Sequence, residues 1–183
     1  MINKHHRRSI RLKGFDYAQA GAYFVTVCTH NRACLFGDEV RGEIRLNGAG
    51  RLVQSVWGGL PDHYPYIDMD AFVIMPNHVH GIVWLKGSDN VGATGAGLKP
   101  APTVRHGLPE IVRAFKTFSA RQINAMRSTF GISVWQRNYF EHIIRNDETL
   151  QLIRKYIADN PARWAEDVEN PSMNTHKGHV DQL

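Results

Sequence analysis

Between Ala22 and Thr29 the run AYFVTVCT sets Tyr23, Val25 and Val27 on one side of an extended chain and Phe24, Thr26 and Cys28 on the other. Aromatic and β-branched residues at both parities predict a strand that is at least partly covered on both faces. A polar, glycine-bearing stretch follows, then Glu43–Leu46 as a short second strand. Asn47 is placed to cap a helix running through Leu52, Val53, Val56, Trp57 and Leu60 to Pro61. Met69–Met75 and His80–Leu85 are two more apolar strands. The residues between them, Pro76, Asn77, His78 and Val79, suit a hairpin, so these strands are expected to be antiparallel neighbours.

Residues 86–107 concentrate Gly, Pro, Ser and Thr without any period, which predicts a flexible surface insertion and not a domain boundary. From Leu108 to Met126, Ile111, Val112, Phe115, Phe118, Ile123 and Met126 recur at helical spacing. Arg113, Lys116, Arg121 and Arg127 face Glu110 alone, giving that helix a basic face. Val134–Ile144 reads as extended, and Asp147 is expected to cap a helix that turns Leu150, Ile153 and Ile157 inward and stops at Pro161. The sum is an α+β domain with a mainly antiparallel, ferredoxin-like sheet and helices packed on one face of it. It is expected to be a single domain over residues 1–168, followed by a polar, loose tail over 169–183.

The chain has 183 residues, 43% hydrophobic and 21% charged, enough for one sizeable core and incompatible with disorder throughout. No apolar run approaches the roughly 18 residues of a membrane span, and the N-terminus lacks the apolar segment of a secretory signal, so a cytoplasmic protein is expected. Cys28 and Cys34 form neither a disulfide framework nor a redox or zinc motif, and are expected to be packing or surface residues. Charge alters the picture more. The net charge is +5 and the pI 9.4. Residues 1–13 carry Lys4, Arg7, Arg8, Arg11 and Lys13 with no acid, whereas residues 159–183 carry Asp159, Glu166, Asp167, Glu169 and Asp181 against Arg163 and Lys177. The basic end is a candidate contact for a polyanion, or else a solvated terminus.

Two constellations could carry chemistry. His78 and His80 are two apart on a strand, so both imidazoles project to one side, as two ligands of one metal must, or as two polar groups on a solvated strand face do. Tyr156 and Asn160 are four apart on a helix, about 40° from each other around its axis, where a hydroxyl and an amide oxygen can converge. Equally, Tyr156 could be half in the core and Asn160 simply end the helix before Pro161. His176 and His179 lie in the polar tail and are read as incidental.

The strings MPNHVHGIV at 75–83, VWQRNYFEHIIRNDETL at 134–150 and KYIADNPARW at 155–164, with RRSIRLKGFDYAQAGAYFVTVCTHNRACLFG near the start, together resemble the single-tyrosine HUH transposases, in particular the REP-associated tyrosine transposase group. The likeness spans nearly the whole chain apart from 86–107 and the tail. It implies that residues 1–168 form a transposase catalytic domain and that His78 and His80 are the His-hydrophobic-His metal pair. Tyr156 would be the nucleophile and Asn160 the third ligand, where many relatives have Gln. Tyr139, in the well-matched WQRNYFEH segment, is the rival nucleophile and is expected to pack instead. The resemblance further implies a divalent metal, Mg²⁺ or Mn²⁺, and a single-stranded or hairpin-forming, REP-like DNA substrate. It implies a 5′-phosphotyrosine intermediate, a nucleoid-associated location, and a monomer or homodimer. Arg7, Arg8, Arg11 and Lys13, and Arg113, Lys116 and Arg121, are the candidate DNA contacts. The competing readings are an HUH nickase of the replication-initiator kind and a domesticated, non-catalytic hairpin-binding protein.

Overall fold

Alternation along β1 (Gly21–Cys28) decides the architecture: Tyr23, Val25 and Val27 enter one apolar cluster, and Ala22 and Phe24 enter another on the opposite side. In the computed structural model, which describes residues 14–87 and 106–174, β1 lies inside a four-stranded sheet with β4 (Ile67–Ile74), β5 (His78–Leu85) and β6 (Phe140–Ile144). The order is β4-β5-β1-β6, with every pairing antiparallel. Helices α1 (Gly48–Gly58) and α3 (Leu108–Arg127) cover one face and α4 (Asp147–Asp159) covers the other. The α+β class and the mainly antiparallel sheet are as expected, but the helices lie on both faces, not one. The two-sided apolar pattern of β1 demands this, because either face left bare would expose Phe24 or Tyr23 to water.

The α1/α3 face holds the larger core. Trp57 of α1 stacks flat on Phe72, with centroids 4.5 Å apart, and meets Phe115 of α3 edge-on at 5.1 Å. Gly81 on β5 makes this approach possible, since a Cβ there would lie 2.4 Å from the Trp57 ring. Trp135 closes the layer against Phe36 and Phe115 and donates its indole hydrogen to Ser119.

Local boundaries differ from the sequence reading in several places, and β4 and β5 each begin two residues earlier than read, at Ile67 and His78, so that His78 and Val79 belong to the strand and not to the turn. A further strand, β2 (Gly37–Val40), pairs with β3 (Glu43–Leu46) as a separate hairpin; GDEV is too polar to read as a strand, and the hairpin depends on Arg41 and Gly42, both at positive φ in the turn. The first helix breaks at Gly59, and Leu60–His63 forms a short α2. Of 134–144 only Phe140–Ile144 is a strand, with Trp135 making an isolated bridge to Thr29. The cap of α4 is Asn146, whose side chain accepts from the Thr149 amide at 2.8 Å, not Asp147. Asp147 is the first helical residue, where its charge suits the helix dipole.

Asn47 caps α1 as expected. The tail expected to be loose from Glu169 starts with packed residues instead: Asn170 is buried, Glu169 pairs with Arg32 at 2.7 Å, and Pro171–Asn174 forms a short α5. Arg7, Arg8, Arg11 and Lys13, most of 86–107, and His176 and His179 lie outside the described residues. Among the described residues no helix is long and apolar enough to cross a membrane.

Candidate active site

β5 begins at His78, so His78, His80 and Ile82 fall on the α4 face while Val79, Gly81 and Val83 fall on the other. Antiparallel register then sets Thr26 opposite His80 and Cys28 opposite His78. Both imidazoles are buried, and their Nε2 atoms stand 3.0 Å apart. That separation is close to the edge two neighbouring ligands occupy around an ion bound at about 2.1 Å in octahedral geometry.

Each ring is oriented through its other nitrogen. His78 Nδ1 meets Asn77 Oδ1 at 2.8 Å, and His80 Nδ1 meets the Thr26 hydroxyl at 2.7 Å. Burial pushes both imidazoles down to about 3, reinforced by Arg32 beside His78 and by His78 itself beside His80. Both rings are therefore neutral at physiological pH, the form that binds metal.

Helix α4 brings the next groups. It is fastened to the sheet by Arg154, which forks onto Asp70 of β4, while Trp84 donates to the same carboxylate at 2.9 Å. Two residues on, the Tyr156 hydroxyl lies 3.3 Å from His80 Nε2 and its ring meets Phe24 edge-on. Phe24 also stacks on His80, so one side chain orders both. Tyr156 remains 44% exposed, open to a large substrate. Burial raises its phenol above the usual 10, and Asp167 and Glu169 add to this; the Asn160 amide and Arg163 oppose them.

Asn160 is the residue that ends α4, where Pro161 turns the chain into a 3₁₀ turn over Pro161–Glu166. It is buried, and its Oδ1 has no hydrogen-bond partner. Asn160 and Tyr156 share a cavity of about 150 Å³ with Asp167. Asp167 is the functional candidate that sequence reasoning missed. Its Oδ2 lies 3.7 Å from His78 Nε2, and together with His78 and His80 it makes a group that could hold a metal ion. No spacing rule announces it, because the 3₁₀ turn alone brings it back over the histidines. Cys28, although opposite His78, is pushed up to about 12 by burial and by Glu169, and stays a thiol.

The other candidates lie elsewhere. Tyr139 packs against the α1/α3 core, away from the histidines. It lines a cavity of about 950 Å³ between α3 and residues 132–139, which includes none of His78, His80 or Tyr156. On α3, Arg113 pairs with Glu110, and Lys116 donates to the carbonyls of Gln136 and Arg137 at 2.6 and 2.9 Å. Arg121 is exposed. The basic face read from the sequence is thus partly engaged within the protein.

The comparisons with known proteins agree with the fold. No family model matches the chain. An uncharacterised protein of Haemophilus influenzae is 40% identical over 168 residues, covering 89% of this chain and 92% of that protein. A second protein of the same organism, named provisionally as a REP-associated tyrosine transposase, is 29% identical over 150 residues, covering 81% and 74%. Among solved structures, a REP-associated tyrosine transposase bound to a REP hairpin superposes with a TM-score of 0.57 at 20% identity, covering 85% of this chain and 74% of that one. The fold is that of a tyrosine transposase. The chain resembles the REP-associated tyrosine transposases in sequence and shares their fold.

Proposed function

We propose that this protein is a REP-associated tyrosine transposase that cleaves and rejoins single-stranded DNA beside REP-like hairpins, with Tyr156 as nucleophile and His78, His80 and Asn160 as ligands of a divalent cation, Mg²⁺ or Mn²⁺. The observation that carries the reading is the Tyr156 hydroxyl at 3.3 Å from His80 Nε2, beside the paired ring nitrogens. The donor set fits such an ion: two neutral imidazole nitrogens at ligand-edge spacing and a buried amide oxygen otherwise left without a partner. Asp167 joins this set as a fourth, anionic ligand. The bound ion would supply positive charge to the scissile phosphate and to the phenolate.

The chain's own residues do the rest. Tyr156 gives up its phenolic proton to solvent and its Oη attacks phosphorus, the bond to the 3′ oxygen breaks, and the tyrosine holds the 5′-phosphate while the departing oxygen takes a proton from solvent to become a free 3′-OH. Phe24 keeps the phenol over the site, and the Arg154–Asp70 fork fixes the helix that carries it. Reversal by a 3′-OH rejoins a strand without ATP. The hairpin is the substrate class that the solved relative holds. Arg7, Arg8, Arg11 and Lys13, with Arg121 and the half-engaged Arg113 and Lys116, are the candidate backbone contacts. A nucleoid-associated location follows from that substrate.

The test is incubation with labelled single-stranded DNA carrying the palindromes that flank the gene, with Mg²⁺ or Mn²⁺, read as covalent adducts on a denaturing gel. The adduct is expected to need metal, to vanish in Tyr156→Phe and to persist in Tyr139→Phe. Asn160→Ala and Asp167→Ala separate the two candidate oxygen ligands by their metal requirement. Hairpin binding without any adduct would overturn the catalytic reading in favour of a non-catalytic binding protein.

A further inference from the structure

The two histidines look alike in sequence, yet their hydrogen-bond partners differ in kind. Asn77 is fully buried, and its Nδ2 donates to two backbone carbonyls, those of Arg32 at 3.1 Å and Glu169 at 2.7 Å. Those carbonyls can only accept, so the amide cannot flip, and it is Oδ1 that faces His78 Nδ1. An amide oxygen also only accepts. His78 therefore carries its hydrogen on Nδ1, and its Nε2 is bare.

Thr26 imposes no such direction on His80, because a hydroxyl both donates and accepts. The 3.0 Å between the two Nε2 atoms then narrows the choice. Two bare ring nitrogens repel at that distance. They are held there either by a cation between them or by a hydrogen, and in the second case His80 carries it on Nε2, donates it to His78 Nε2, and accepts at Nδ1 from the Thr26 hydroxyl. To offer Nε2 to a cation, His80 must carry the hydrogen on Nδ1, and Thr26 must accept it.

We infer that Thr26 is a positioning residue whose reversible hydroxyl lets His80 exchange tautomers when the site takes a divalent cation, while Asn77 holds His78 in one tautomer throughout. The proton balance is closed. His80 releases the Nε2 hydrogen to solvent and takes one up at Nδ1, and the Thr26 hydroxyl hydrogen rotates away, with no net charge change on the ring. The inference rests on the metal reading above, and deepens it by assigning unlike tasks to the two ligands.

The experiment uses the full chain labelled with ¹⁵N-histidine, observed by long-range ¹H–¹⁵N correlation without metal and with Mg²⁺, which is diamagnetic. His78 is expected as the Nδ1–H tautomer in both, and His80 is expected to change from Nε2–H to Nδ1–H. Mn²⁺ affinity, read from the electron paramagnetic resonance of the free ion, is expected to fall about 10- to 100-fold in Thr26→Val and to recover to within a few-fold in Thr26→Ser. Valine keeps the β-branched shape the strand accepts, so Tm should hold. Unchanged Mn²⁺ affinity in Thr26→Val, or His80 already Nδ1–H without metal, would overturn the inference. Should Thr26→Val not fold, the wild-type spectra alone decide it. Loss of the metal reading itself looks different: the wild-type chain would then bind Mn²⁺ no better than His80→Ala.

Discussion

The two faces of the sheet are built from the same strands and do opposite work. On the α1/α3 face, Val25, Val27, Val79 and Val83 meet Trp57, Phe115 and Trp135 in a dry layer of interlocked rings. On the α4 face a smaller apolar cluster of Ala22, Phe24, Ile82, Ile144, Leu150 and Ile157 gives way, toward the start of β5, to His78, His80, Thr26 and Asn160. A strand of period two divides its residues between the faces without compromise. β5 can thus spend alternate positions on cohesion and on chemistry. The large core on one side is what allows buried polar groups, with an orphaned amide oxygen among them, to be tolerated on the other.

If that division is real, substitutions on the two faces should fail in different ways. The largest effect is expected from Tyr156→Phe, which removes one hydroxyl from the α4 face: adduct formation should fall at least about 10³-fold on a denaturing gel, while Tm stays near that of the wild type. The opposite behaviour is expected from Phe115→Ala, fully buried on the α1/α3 face. Urea unfolding should show a loss of about 3–5 kcal/mol, and the residual folded protein should retain its metal affinity.

Gly81→Ala sharpens the contrast because Gly81 directly follows His80 in the chain yet points at Trp57. Its methyl would meet the ring at 2.4 Å, and a destabilisation of about 1–3 kcal/mol is expected in the same unfolding assay, together with changed Trp fluorescence. A milder effect on activity would confirm that parity, not proximity in sequence, assigns a residue to its face.

The smallest effect is expected at the join between α4 and the sheet. Arg154 holds the Asp70 carboxyl well below its usual value, at about 2, with help from Trp84 and the Ala71 amide. A depressed carboxylate contributes stability that is present above its unfolded value near 4 and is lost as pH falls toward 2. Asp70→Asn should therefore lower Tm slightly at neutral pH, and the difference from wild type should close over that acid window. Because Arg154 is two residues from Tyr156, the same variant should reduce cleavage more than it reduces stability.

Much of this molecule was legible along the chain. Runs of aromatic, β-branched and apolar residues gave β1 and β5, helical spacing gave α3 and α4, and a hairpin-length gap made β4 and β5 neighbours, because these are local signals of composition, period and turn. The His78–His80 pair and the Tyr156–Asn160 pair were each visible as residues sharing a face. Three things were not. Helices on both sides of the sheet, Asp167 returning over the histidines after the 3₁₀ turn, and the engagement of Lys116 by the carbonyls of Gln136 and Arg137 all depend on where distant segments pack.

By itself, then, the sequence determined which residues share a strand face or a helix face, since backbone geometry fixes that within a few residues. Only the tertiary structure decided that the two faces meet. It set His80 Nε2 beside the Tyr156 hydroxyl, 76 residues away in the chain, turned Thr26 and Asn77 onto opposite rings, and left Asn160 Oδ1 without a partner. Hydrogen-bond direction and burial are properties of packed neighbours, and the neighbours of these side chains come from β1, β5, α4 and the turn beyond it.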